Sequence, residues 1–225
     1  MSMLDTAASR RYLRQLDLVP MDVLRKAHVT VIGVGGLGSF AALALAKMGV
    51  GKLTLVDGDT IEEHNTANQL YGPDQIGSLK VEACRNIIHS LTSGCQVHTW
   101  GFMLDKDNIL DVPLIVTCVD SMEARQEIWR VVQQSSVVEA LIDARAGAEE
   151  LRFIYTPVSA HAQYKSTLYS DADALPLPCT ARAIIYTAFL AGGWIAALTK
   201  AHLTGKGGKF AQYCMSIPMF QTLTL

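Results

Sequence analysis

The chain has 225 residues, half of them hydrophobic and 18% charged, with 17 glycines and 7 prolines. That composition belongs to globular proteins and excludes collagen-like and disordered ones. With 19 basic residues against 21 acidic ones, a formal net charge of -2, no basic field draws the chain to nucleic acid or to an anionic membrane.

The five cysteines (Cys84, Cys95, Cys118, Cys179 and Cys214) form no C-x-x-C pair. A disulfide framework or zinc knuckle is not expected, and reduced thiols fit a cytoplasmic protein. Nothing in the sequence divides the chain, so one domain over 1–225 is expected. It begins with MSMLDTAASRRYLRQLDLV, which lacks the apolar core of a secretion signal and reads as part of an amphipathic helical arm over 1–27. The β-branched run HVTVIG predicts a strand over 28–33, and the Ala- and Leu-rich LGSFAALALAKM predicts a helix over 37–48. A second strand over 53–56 ends at Asp57, and helical spacing over 79–91 completes a βαβ unit. Further strands are expected over 96–100, 114–119 and 138–142, with a helix over 122–132 between the last two. An apolar stretch over 183–198 is Ala- and Gly-rich and stops at Lys200, too short for a membrane span and better read as a buried helix. The tail, 212–225, reads as a strand or two broken by Pro218. The alternation predicts an α/β fold with a doubly wound, mainly parallel, Rossmann-like sheet, a crossover loop and antiparallel strands at its C-terminal end.

Two long irregular segments interrupt this pattern, 58–78 and 159–178, the second a crossover or lid. The first lies where such sheets bind ligands, at the C-terminal edge. There Gly33, Gly35, Gly36 and Gly38 form G-x-G-x-x-G between strand and helix, a turn whose N–H groups can face phosphates at the positive end of the helix. Asp57 can accept both ribose hydroxyl hydrogens. These residues suit NAD as well as ATP. A polar loop with Asp59, Asn65, Asn68 and Gln69, ending at Lys80, favours a triphosphate, because amides and a lysine can hold phosphate charge. Lys80 alone reads equally well as a solvated helix residue. Asp120, after a strand, could hold magnesium or cap the helix that follows.

The run RRYLRQ, then VIGVGGLGS, LVDGD, N-x-x-x-Q at Asn65 and Gln69, GSLKVEA and TCVD resembles the ThiF-type superfamily. That superfamily includes sulfur-carrier adenylyltransferases and the adenylation domains of ubiquitin-activating enzymes. The resemblance implies ATP and magnesium, and a ubiquitin-like or sulfur-carrier protein activated at its C-terminal glycine. It implies Asp57 for ribose, Asn65, Gln69 and Lys80 for phosphates, and Asp120 for the metal. It also implies a homodimer in which Arg14 reaches the partner's active site, and a minimal enzyme akin to compact bacterial members. The pattern departs in two places. Asn68 stands where an arginine is usual, and Ser121 follows Asp120 where an asparagine is usual; Arg145 and Arg182 are candidates to replace the missing charge. Cys179, after the crossover loop, reads either as an acyl-accepting nucleophile or as a buried structural thiol, while the other four cysteines are assigned to packing. The activated end, expected as Gly-Gly in an extended strand under 159–178, would pass to sulfur, a lysine or a downstream conjugating protein. Rival readings are a silent partner-binding subunit, an NAD-dependent oxidoreductase, and activation of a small molecule or tRNA base carboxyl.

Overall fold

The structure is a computed structural model and describes residues 10–104, 108, 110–170 and 184–225. The N-terminal arm is not one continuous helix. A short 3-10 turn, Leu13–Gln15, precedes α1 (Met21–Lys26), because Pro20 breaks the helix and starts the next. Tyr12, Val19, Met21 and Leu24 bury themselves against Met48 and Leu203.

Strand β1 (His28–Ile32) leads through the glycine turn into α2 (Gly36–Met48), and β2 (Lys52–Val56) follows. After α3 (Lys80–Leu91) come β3 (Gln96–Trp100) and β4 (Leu114–Thr117). Then α4 (Met122–Gln134) leads to β5 (Ala140–Gly147). All these strands run parallel, in the order β3-β2-β1-β4-β5. Because β1 lies between β2 and β4, the connections leave it toward opposite sides, which opens a crevice beyond its C-terminal end.

The sheet continues antiparallel through β6 (Glu150–Pro157), β7 (Ala211–Ser216) and β8 (Gln221–Thr224). Strand β5 runs to residue 147, beyond the expected end at 142, and β6 was absent from the sequence expectation. Its hairpin turns at Ala148, a non-glycine residue at φ 54°, and the Ala148–Glu149 tip carries none of the Asn-Gly signals that mark tight hairpins. The tail matches its expectation, two strands separated at Pro218.

Side chains alternate across the sheet. Val29, Val31, Leu53, Leu55, Leu114 and Ile142 face a core closed by α2, α3 and α6 (Ile185–Leu203). Ile32, Val56, Ile115 and Leu141 face the other core, closed by Ile128, Trp129 and Val132 of α4 and by Tyr164 of α5 (His161–Lys165). Helix α6 packs closely on α2, since a Cβ at Gly192 would lie 2.9 Å from the Phe40 carbonyl carbon. The expectation of a buried helix holds for one side only. Ala188, Ala191 and Ile195 are buried, whereas Phe189 is 61% and Leu190 43% exposed. Among the described residues, no helix is long and apolar enough to cross a membrane.

Candidate functional site

The glycine turn begins where β1 ends. Gly33 has φ +82°, and a Cβ there would meet the Cys118 and Val119 backbone at 3.0 Å; a Cβ on Gly38 would lie 1.8 Å from the Gly33 carbonyl oxygen. These two glycines are required by packing of the turn itself. Gly35 and Gly36 are different. Their nearest neighbours are Gln69 Nε2 at 3.8 Å and the Asn68 carbonyl at 3.4 Å, so they face the 58–78 loop across the crevice.

Asp57 ties the two walls together. One carboxylate oxygen accepts the Val34 N–H at 2.8 Å and the other the Asp59 N–H at 2.9 Å. Burial raises the Asp57 carboxyl above its ordinary value, and the Asp59 and Val34 N–H groups and the Lys80 charge pull it back. Each oxygen keeps a lone pair that a ribose hydroxyl can use. The Tyr71 hydroxyl donates to the Val34 carbonyl at 2.6 Å, and the Ser39 hydroxyl accepts the Leu70 N–H at 3.3 Å. The loop is thereby seated on the first turn of α2.

Lys80 is not a solvated helix residue. Its side chain is 10% exposed, and Nζ donates to Asp59 Oδ2 at 2.7 Å. A lysine as the first residue of α3 opposes the positive end of the helix dipole, so its burial calls for anionic neighbours. Asp59 supplies one and leaves two ammonium protons to donate.

Asn65 is buried and its side-chain oxygen accepts the Glu62 N–H at 2.9 Å, leaving its NH2 group over. The side-chain oxygens of Asn68 and Gln69 are buried without a hydrogen-bond partner. Such an orphan costs about 1–3 kcal/mol. A ligand that donates a hydrogen bond would remove that cost, and turning an amide presents its NH2 group to an acceptor instead.

Asp120 stands exposed beyond β4. The capping role belongs to its neighbour, since the Ser121 hydroxyl accepts the Ala124 N–H at 3.1 Å. Among the described residues, no group of three or more His, Cys, Asp or Glu could hold a metal. A magnesium ion fits here only with Asp120 and substrate phosphate oxygens as ligands, a sparse protein set that is usual for this ion.

Arg14 is not brought to this site. Its turn sits at the far end of α2, where the Gln15 amide donates to the Met48 carbonyl at 2.7 Å, and the 13 residues of α2 span about 20 Å. Arg145 does not replace the missing charge either. Its guanidinium is buried and each of its three nitrogens already donates within the protein, to Asp143 Oδ2 at 2.8 Å, the Thr167 carbonyl at 2.9 Å and the Thr167 hydroxyl at 3.0 Å. Arg182 and Cys179 lie outside the described residues. Burial raises the Cys84 and Cys95 thiols to about 12 and about 11 and Cys118 higher still, which suits packing and not nucleophilic attack.

The sequence reading missed the polar cluster around Asp143, which unites Arg125, Arg145, Tyr164 and Thr167. A signal was present: Asp143 and Arg145 stand two residues apart, hence on one face, within the otherwise apolar ALIDARAG.

The ThiF family profile matches residues 8–217. Ubiquitin-like modifier-activating enzyme 5 of Caenorhabditis elegans is 32% identical over 63% of this chain and 35% of its own length. Adenylyltransferase and sulfurtransferase UBA4 of Debaryomyces hansenii is 33% identical over 52% of this chain and 28% of its own. The chain therefore spans about a third of the length of these relatives. The crystal structure of PaaA superposes with TM-score 0.78 at 20% identity, covering 100% of this chain and 75% of that one. E. coli MccB with AMPCPP and MccA superposes with TM-score 0.74 at 17% identity, covering 97% and 72%. Both share the α/β fold described above.

Proposed function

The chain belongs to the ThiF family, and from that premise we propose that it is an ATP-dependent adenylyltransferase. Its substrate would be a ubiquitin-like or sulfur-carrier protein, activated at the C-terminal carboxylate. The observation that carries this reading is the polar loop after β2: it holds a buried Lys80 through Asp59 and turns the Gln69 side-chain nitrogen toward Gly35. A buried ammonium with donors left over, and an amide NH2 group turned toward the glycine turn, suit a polyanion. NAD needs neither, because the glycine turn would hold its pyrophosphate and Asp57 its ribose.

In this mechanism the terminal carboxylate oxygen attacks the α-phosphorus, the bond from that phosphorus to the bridging oxygen breaks, and pyrophosphate leaves with the electron pair. Asp57 orients the ribose. The N–H groups of Gly35 and Gly36, Lys80 and the amides of Asn65, Asn68 and Gln69 meet the phosphate charge as it shifts. Asp120 would hold magnesium, which when bound neutralises phosphate oxygens. Arg14, a helix length from its own site, could take part only from a partner subunit, which is the ground for a homodimer. Cys179 would then take the acyl group as a thioester, releasing AMP. Residues 1–225 act as one such unit in this reading, in the cytoplasm.

A second reading, a silent partner-binding subunit, is favoured by Asn68 standing where an arginine is usual. ATP–pyrophosphate exchange separates the two. The protein would be assayed with ubiquitin-like or sulfur-carrier proteins ending in Gly-Gly from the same genome. Exchange that survives Cys179→Ala and is lost in Asp120→Ala supports adenylation with a later role for the thiol. No exchange with any of them supports the silent subunit.

A further inference from the structure

Asp143 lies at the centre of a buried cluster with two guanidiniums against its one carboxylate. Its Oδ1 accepts Arg125 Nε at 3.1 Å, and its Oδ2 accepts Arg145 Nε at 2.8 Å and the Tyr164 hydroxyl at 3.0 Å. The two arginines then hold different segments of backbone. Arg125 donates through Nη1 to the Ser121 carbonyl at 3.1 Å and through Nη2 to the carbonyls of Val119 and Ala144. Its fork therefore grips the backbone on both sides of Asp120. Arg145 donates instead to the carbonyl and hydroxyl of Thr167, just after α5. Thr167 is anchored in turn, its hydroxyl donating to the Tyr164 carbonyl at 2.8 Å. A second tie runs beside it, from the Gln126 amide of α4 to the Tyr169 carbonyl at 2.8 Å.

We propose that Arg125 is a positioning residue for Asp120, and that the chain Thr167, Arg145, Asp143, Arg125 makes the loop carrying Asp120 respond to displacement of Thr167. Three features of the cluster support the coupling. Each link is a hydrogen bond between groups held at fixed angles, because guanidinium and carboxylate are planar and their donors and acceptors are directional. The links from Thr167 through Asp143 to Arg125 are buried, so water does not substitute for a lost partner there. Each arginine spends its donors on backbone carbonyls of a loop, and a displaced carbonyl moves the arginine that holds it. Anything that shifts Thr167 is then felt at Val119 and Ser121, on either side of Asp120. The assignment of Asp120 to the metal rests on the adenylation reading, whereas the mechanical coupling does not.

The test uses Thr167→Val, which keeps the side-chain shape and removes the hydroxyl, and Thr167→Ser, which keeps the hydroxyl. Hydrogen exchange is followed by mass spectrometry over 119–125, where the Ala124 N–H is held by Ser121, and over β1 and β2 as an internal reference. Thr167→Val is expected to speed exchange over 119–125 roughly fivefold with β1 and β2 unchanged, and Thr167→Ser to restore the wild-type rate. In ATP–pyrophosphate exchange, Thr167→Val should lower kcat roughly tenfold while KM for ATP stays within about twofold, the signature of a displaced group and not of lost binding. Unchanged exchange over 119–125 in Thr167→Val, or an equal rise throughout the sheet, overturns the coupling. If the wild type shows no pyrophosphate exchange, the adenylation reading fails, and the hydrogen-exchange comparison still decides the coupling.

Discussion

The wall of the crevice and the cluster around Asp143 are built from the same materials: carboxylates, cations and hydrogen-bonding side chains. They differ in what is left over. Around Asp143 the carboxylate oxygens and the guanidinium groups reach protein partners throughout. Along the crevice Asp59 and Lys80 pair, yet the Asn68 and Gln69 side-chain oxygens are buried and unpartnered. A saturated network fixes a structure, and an unsaturated one leaves capacity for a ligand. Charge and burial alone would have marked the wrong arginine, Arg145, as the phosphate contact.

The contrast can be broken by mutation. The largest effect is expected in the saturated cluster, where Asp143→Ala leaves two guanidiniums buried without their carboxylate. It should destabilise the fold by about 3–5 kcal/mol, read as a lower midpoint in urea unfolding. In the unsaturated wall the losses should appear in binding instead. Lys80→Met should weaken ATP affinity by roughly tenfold, about 1.4 kcal/mol, by calorimetric titration. Its effect on the urea midpoint should be small, because Asp59, with which the lysine pairs, is half exposed.

Gln69→Leu sharpens the comparison further, because it removes an orphan acceptor. The free protein should gain up to about 1 kcal/mol of stability while ATP binding weakens. Loss of stability in this variant would mean that the amide serves the fold.

The smallest expected effect lies on the other side of the molecule. Burial, then the charges of Lys52 and His98, lower His28 from 6.5 to about 4, against a smaller opposite pull from Asp111. Its ring bonds the Thr54 hydroxyl at 2.8 Å. The folded value lies below the unfolded one, so between them the unfolded chain binds more protons. The contribution is complete above pH 6.5 and is lost as pH falls toward 4. His28→Gln should flatten the decline of Tm across that window, by on the order of 1 kcal/mol once solvent screening is allowed for.

Much of this was legible in the sequence where the signal is local. Strands β1, β2 and β4 are largely apolar runs with β-branched residues, and the glycine turn with Asp57 reads directly from strand, turn and helix. What was hidden depends on distant residues meeting. Lys80 finds Asp59 across 21 positions, and nothing local marks it as buried. Arg125 and Asp143 meet only because β4 and β5 pair and α4 packs on their face. Strand β6 was hidden because a positive-φ alanine forms its turn, where a glycine or asparagine would have shown it.

The most direct test of adenylation is the mass of the activated partner. A ubiquitin-like or sulfur-carrier protein ending in Gly-Gly would be mixed with the chain, ATP and magnesium, quenched in acid and weighed intact. The account predicts a species heavier by one AMP moiety, formed by the wild type and absent with Asp120→Ala. ATP binding by a folded protein, with no adenylated species from any such partner, would contradict it.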